Sequence, residues 1–222
     1  MAKTTLNRTC LAEQIRDVVA DRIGRGDYPP GYRLVELCLA KEFGTSQAPV
    51  REAIRMLGGL GLVDSVPRKG ARVREMTDRE QREMNQVRAA LEDMACVLAA
   101  RHFQTNAEAG EELRRLNAIV TRAAKKGDFE TLAVSNNDFH RLIVNASGNQ
   151  TLIELWESTA LRPRGLVSQI RKGFDPLIVV EHHIGIIESL LAGRGDEAGR
   201  RMRDHGLHFA RLHEEPVQKS PA

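Results

Sequence analysis

Two breaks in the stretch 33–63, RLVELCLAKEFGTSQAPVREAIRMLGGLGLV, constrain the fold more than any other feature of the chain. Gly44 ends one short amphipathic run, because glycine takes the left-handed conformation at a helix terminus at little cost. Ser46 follows as an N-cap whose hydroxyl can accept from the free N–H groups of the next turn. Pro49 falls inside that first turn, where its missing N–H matters least. Leu34, Leu37, Leu39 and Ala40 give the first helix an apolar side. The second helix, about residues 47–57, buries Val50, Ile54 and Leu57 at i, i+4 and i+7. Gln47, Arg51 and Arg55 recur at i, i+4 and i+8 on a different face that carries no apolar residue.

Taken alone, that polar stripe also suits an ordinary solvated helix face. Its flank decides between the readings. Leu62 to Val66 alternates in character, Pro67-Arg68-Lys69-Gly70 is a basic turn, and Ala71 to Arg74 returns. This is a β-hairpin with cations at its tip and on its return strand. Two short helices across a glycine turn, followed by a basic hairpin, are the plan of a winged helix-turn-helix, whose second helix enters the major groove of DNA.

The segments PGYRLVE, SQAPVREA, GLGLV and PRKGARV, in that order, resemble the DNA-binding domain of GntR-type bacterial transcription regulators. The resemblance implies DNA contacts at Arg33, Gln47, Arg51 and Gly70, with Ser46, Arg55, Lys69 and Arg72 beside them. Arg51 and Gln47 are expected to read bases, while Arg33, Lys69 and Arg72 hold phosphates. Gln47 stands where the family usually has arginine. Glutamine favours adenine edges where arginine favours guanine, so a different operator is expected. One winged helix covers a half-site, which implies a homodimer on a near-palindrome.

Charge agrees with this division. Residues 1–75 hold 13 Lys and Arg against 9 Asp and Glu, while the remainder holds 20 against 21. The positive excess lies in the segment that reads as nucleic-acid binding. The three cysteines, Cys10, Cys38 and Cys96, are far apart and form no CxxC, which points to a reducing cytoplasm. No apolar run is long enough to span a membrane, and the first ten residues lack a signal-peptide core.

Thr77 and Glu80 form a capping box at the expected boundary. Beyond it the chain reads as six amphipathic helices, at about 78–103, 107–125, 128–145, 150–171 with a kink at Pro163, 175–192 and 196–213. Met84, Val87, Leu91, Met94 and Leu98 share one face of the first. The expected organisation is mostly α: residues 1–75 a winged helix-turn-helix with a small wing, 78–213 an all-α antiparallel bundle, and 214–222 a flexible tail.

All seven histidines lie at residue 102 or beyond, past the expected boundary. His140, His183 and His205 fall on apolar faces of three different helices, and His182 competes with His183 for the inward position. Each alone suits a satisfied core histidine. Three together would leave unpartnered polar groups inside a bundle unless they converge on a metal. NNDFHRLIVNASGN and the spacing from His183 to His205 resemble the FadR-like C-terminal ligand-binding domain, known as FCD, of GntR regulators. The resemblance implies a divalent metal held at Asn136, His140, His183 and His205, zinc before nickel. Asn136 replaces the family's aspartate, so the site carries one less negative charge and holds metal weakly or not at all. It also implies a small carboxylate effector, with Arg88, Arg162 and Arg164 as its expected partners. The rival readings are a metalloenzyme built on the histidines and a helical scaffold without ligand. Against the enzyme, there is no HExxH or Walker A motif, and no glutamate reads as an inward general base.

Overall fold

The computed structural model describes residues 10–66, 70–160 and 175–211. The chain divides into two compact units, the first ending at Glu75 and the second beginning at Met76.

In the first unit, α1 (Leu11–Arg25) precedes β1 (Arg33–Leu34), α2 (Glu36–Glu42), α3 (Gln47–Gly59), β2 (Val63–Val66) and β3 (Gly70–Val73). The three strands are antiparallel in the order β1-β3-β2. Ile15, Val19 and Ile23 of α1 pack with Leu39, Val50, Ile54, Leu57, Leu62 and Val73 in one core. Gly44 has φ +61°, the left-handed turn between α2 and α3. Ser46 occupies the N-cap with extended backbone, but its side chain makes no capping hydrogen bond. Leu37 does not join the apolar side of α2 and is 64% exposed. The helix begins only at Glu36 and buries Leu39 and Ala40. Leu37 lies about 200° round the axis from Leu39 at 100° per residue, and Leu34 belongs to β1 instead.

The second unit contains α4 (Asp78–Thr105), α5 (Ala107–Lys126), α6 (Phe129–Ala146), α7 (Gln150–Ala160), α8 (Leu177–Leu191) and α9 (Gly195–Arg211). The Thr77 capping box is formed: the Thr77 hydroxyl accepts from the Glu80 N–H, and the Glu80 carboxylate accepts from the Thr77 N–H at 2.9 Å. Asn106 and Asp128 cap α5 and α6 by accepting from the Ala109 and Thr131 N–H groups. The expected run to residue 171, with its kink at Pro163, lies outside the described residues, as does His213.

The buried face of α4 is not the one its bulky residues suggest. Val87 and Met94 are each 53% exposed, and Leu98 is exposed too. The core takes Ala89, Glu92, Ala95, Cys96, Ala99, Ala100 and Phe103. The reason is α9, which lies along α4. A Cβ on Gly199 would come within 2.9 Å of the Asp93 carbonyl oxygen, and one on Gly195 within 2.9 Å of the Val97 carbonyl oxygen. Small residues on both helices admit a backbone approach that bulky ones would prevent.

Candidate functional site

On the first unit, Gln47, Arg51 and Arg55 share the exposed side of α3. Arg51 is already engaged. Its Nε and Nη2 donate to Glu36 Oε2 on α2 at 3.1 and 2.8 Å. Arg55 pairs with Glu52 one turn back. At the sheet, Arg33 pairs in register with Arg72, and Arg72 with Asp64, so three exposed charged side chains cross the strands side by side. Arg72 Nη1 also donates to the Gly31 carbonyl oxygen at 3.0 Å. Gly70 has φ +85°, a conformation that L side chains rarely adopt. Lys69, Arg162 and Arg164 lie outside the described residues.

In the second unit, α6, α8 and α9 bring His140, His183 and His205 together. All three are buried, and one potential ligand nitrogen from each lies within 4.8 Å of the others. Ring centroids are 5.1 to 5.5 Å apart. His183 is the inward member of its pair and is fully buried. His182 is half-buried, and its Nδ1 lies 3.2 Å from His205 Nδ1. Burial, reinforced by the neighbouring imidazoles, holds His183 and His205 well below the usual histidine range, so both are neutral at pH 7.

The residues fit a cation by one internal criterion. Asn136 Oδ1 and His183 Nε2 are buried without a hydrogen-bond partner. Orphaned polar atoms at such depth each cost about 1–3 kcal/mol.

The sequence reading missed Glu92. It is buried on α4, and its carboxylate lies at the centre of a network. Oε1 accepts from Trp156 Nε1 at 2.6 Å and from Arg88 Nη2 at 2.7 Å. Oε2 lies 3.0 Å from His140 Nδ1, close enough for an ion pair but off the line of a ring N–H hydrogen bond. Burial alone would raise the Glu92 pKa, but His140 and Arg88 beside it hold it well below the usual carboxylate range. Arg88 is therefore not a solvated surface arginine: its guanidinium also sits 4.7 Å over the Trp156 ring. Asn117 on α5 was missed as well. Its Oδ1 lies 3.1 Å from His183 Nδ1.

A winged helix-turn-helix followed by a helical unit with a buried polar centre is the organisation of a transcription regulator. Residues 11–73 match the gntR family of bacterial regulatory proteins, and residues 83–208 match the FCD domain; the chain belongs to this family. It is 32% identical over 200 residues to a probable D-xylose utilization operon transcriptional repressor of Paenarthrobacter nicotinovorans, covering 90% of this chain and 87% of that protein. It is 29% identical over 177 residues to the HTH-type transcriptional regulator McbR of Escherichia coli, covering 80% of this chain and 79% of McbR. The solved structure of E. coli McbR/YncC superposes with a TM-score of 0.76 at 26% identity over 91% of this chain and 96% of that one. The protein is a DNA-binding transcription regulator. The metalloenzyme alternative is set aside, because the family and the relatives named here are regulators. Among the described residues, no helix is long and apolar enough to cross a membrane.

Proposed function

We propose that this regulator is switched by a small carboxylate acting at a divalent metal inside the second unit. The observation that carries the reading is the convergence of the buried His140, His183 and His205, with His183 Nε2 left unpartnered. Zinc is favoured over nickel for three neutral imidazoles, with Asn136 a weak fourth ligand or none. The metal would supply a Lewis-acidic centre with an open position for one effector carboxylate oxygen. Arg88, already close to the centre through Glu92, is the effector's partner from α4, and Arg162 or Arg164 would add a second charge. Gln47 and Arg51 read bases. Arg33, Lys69 and Arg72 hold phosphates, with Ser46, Arg55 and Gly70 completing the contact surface. The protein acts in the cytoplasm as a homodimer on a near-palindromic operator. The exposed apolar stripe Val87, Met94 and Leu98 on α4 supports a dimer contact made by the bundle. Repression is the favoured direction, since one relative is named a repressor.

The test is metal content and effector response together. Wild type purified at neutral pH should carry about one zinc per chain, and an organic-acid screen should find a carboxylate that releases its own promoter fragment. His183→Ala should lose both. A wild type that binds no metal yet still answers a carboxylate would show a metal-free pocket instead.

A further inference from the structure

We infer that Asn117 and Glu92 are positioning residues that fix which ring nitrogen His183 and His140 turn toward the metal; this rests on the metal reading above. An imidazole offers two nitrogens, and only the one without a proton can ligate. A partner that accepts a proton at Nδ1 leaves the lone pair on Nε2.

His183 shows the arrangement most clearly. Its Nδ1 faces Asn117 Oδ1 at 3.1 Å, across 66 residues of sequence. Phe139 stacks on the same ring at 3.9 Å and 11°. The ring is thus held by one edge and one face, and the nitrogen left over, Nε2, is buried with no partner. If Asn117 served only to satisfy a core histidine, that second nitrogen would stay unpaired at a cost. A cation at Nε2 removes the cost. An amide can rotate and present its N–H₂ instead, which would reverse the tautomer, so the assignment is open to experiment.

Glu92 stands beside His140 Nδ1 at 3.0 Å, off the N–H line, and acts on it through its charge. A carboxylate can only accept, so it calls for a proton on His140 Nδ1 and leaves Nε2 to coordinate. Arg88 and Trp156 occupy Oε1 and leave Oε2 to face the ring. The anion also stands beside a centre whose own donors are neutral, which offsets part of the metal's charge. Neither residue need touch the metal.

The experiment uses the full-length protein. Nitrogen-15 histidine NMR on metal-free wild type should show the Nδ1–H tautomer for His183. Zinc affinity, read by competition with a chromophoric chelator, should fall about 10–100-fold in Asn117→Leu, the usual effect of losing an outer-shell partner. It should be restored to wild-type strength or above in Asn117→Asp, which can only accept. Glu92→Gln should weaken zinc comparably; if it fails to fold, the Asn117 pair decides. Unchanged affinity in folded Asn117→Leu, or an Nε2–H tautomer at His183, overturns the inference. Should wild type take up no zinc, the metal reading falls and the inference with it; zinc uptake that Asn117→Leu leaves unchanged overturns the inference alone.

Discussion

Asn136 stands one helical turn before His140 on α6, with its Oδ1 buried and unpaired. An amide oxygen there brings a cation only a dipole, where a carboxylate would bring a full charge in a site of low effective dielectric. Asn136→Asp is therefore expected to raise zinc affinity by about tenfold or more, one step of 1.4 kcal/mol, measured by the same chelator competition. On the DNA side, Arg51 is expected to behave differently from Lys69. Arg51→Ala should cost about 1–3 kcal/mol on the operator and relax specificity, whereas Lys69→Ala should weaken operator and random DNA alike and lower the salt slope by about one. Titrations on both DNAs at several salt concentrations separate the two, and an unchanged operator affinity in Arg51→Ala removes it from the base-reading set. At this scale the histidines were legible because each broke an apolar helical pattern. Asn117 was not, since its partner lies 66 residues away and nothing local marks the pair.

At the scale of elements, α4 shows where pattern reading goes astray and why. Its true buried series is Ala89, Glu92, Cys96, Ala99 and Phe103, spaced 3, 4, 3 and 4. That spacing was visible, but it contains a glutamate and small residues, while the competing stripe held Val87, Met94 and Leu98. Hydrophobicity favoured the bulky stripe; the close approach of α9 required the small one. The Arg88-to-Glu92 spacing, on the same side as the alanines, was the available signal for a buried ion pair. The helix ends were read more reliably, because Thr77, Asn106 and Asp128 act through local hydrogen bonds that need no tertiary partner. The α4–α9 contact makes a direct prediction. Gly199→Ala should destabilise the protein by about 1–3 kcal/mol through overpacking against the Asp93 backbone, seen as a lower urea midpoint with little change in slope. A second prediction concerns α9 itself. Arg194 and then Arg201 hold the Glu197 carboxyl down at about 2. A carboxylate depressed in the folded state stabilises it above the unfolded value near 4.5 and loses that contribution as pH falls through 2. Glu197→Gln should therefore lower stability at pH 6, with the difference from wild type shrinking between pH 4.5 and 2.

For the whole molecule, the proposed switch requires a change at the histidine centre to alter DNA affinity in the other unit. The units meet in sequence at Glu75 and Met76, directly before the capped start of α4. A ligand can move this equilibrium only by its difference in affinity between the DNA-competent and DNA-incompetent states. For switches of this kind the coupling is on the order of 1–3 kcal/mol, about 5- to 150-fold in affinity. Linkage makes the coupling reciprocal: an effector that weakens operator binding by some factor must itself bind more weakly, by the same factor, when operator is present. The prediction is therefore made of two independent titrations on the zinc-loaded protein, operator binding with and without the carboxylate, and carboxylate binding with and without operator. Equal factors, abolished together in His183→Ala, are the expected result. Sedimentation in the same conditions should give two chains per operator, because a single winged helix spans one half-site. An operator affinity that keeps falling as carboxylate is raised, instead of levelling off at a finite factor, or release that survives His183→Ala, would mean that the carboxylate competes for DNA contacts directly, and the bundle would not be the switch.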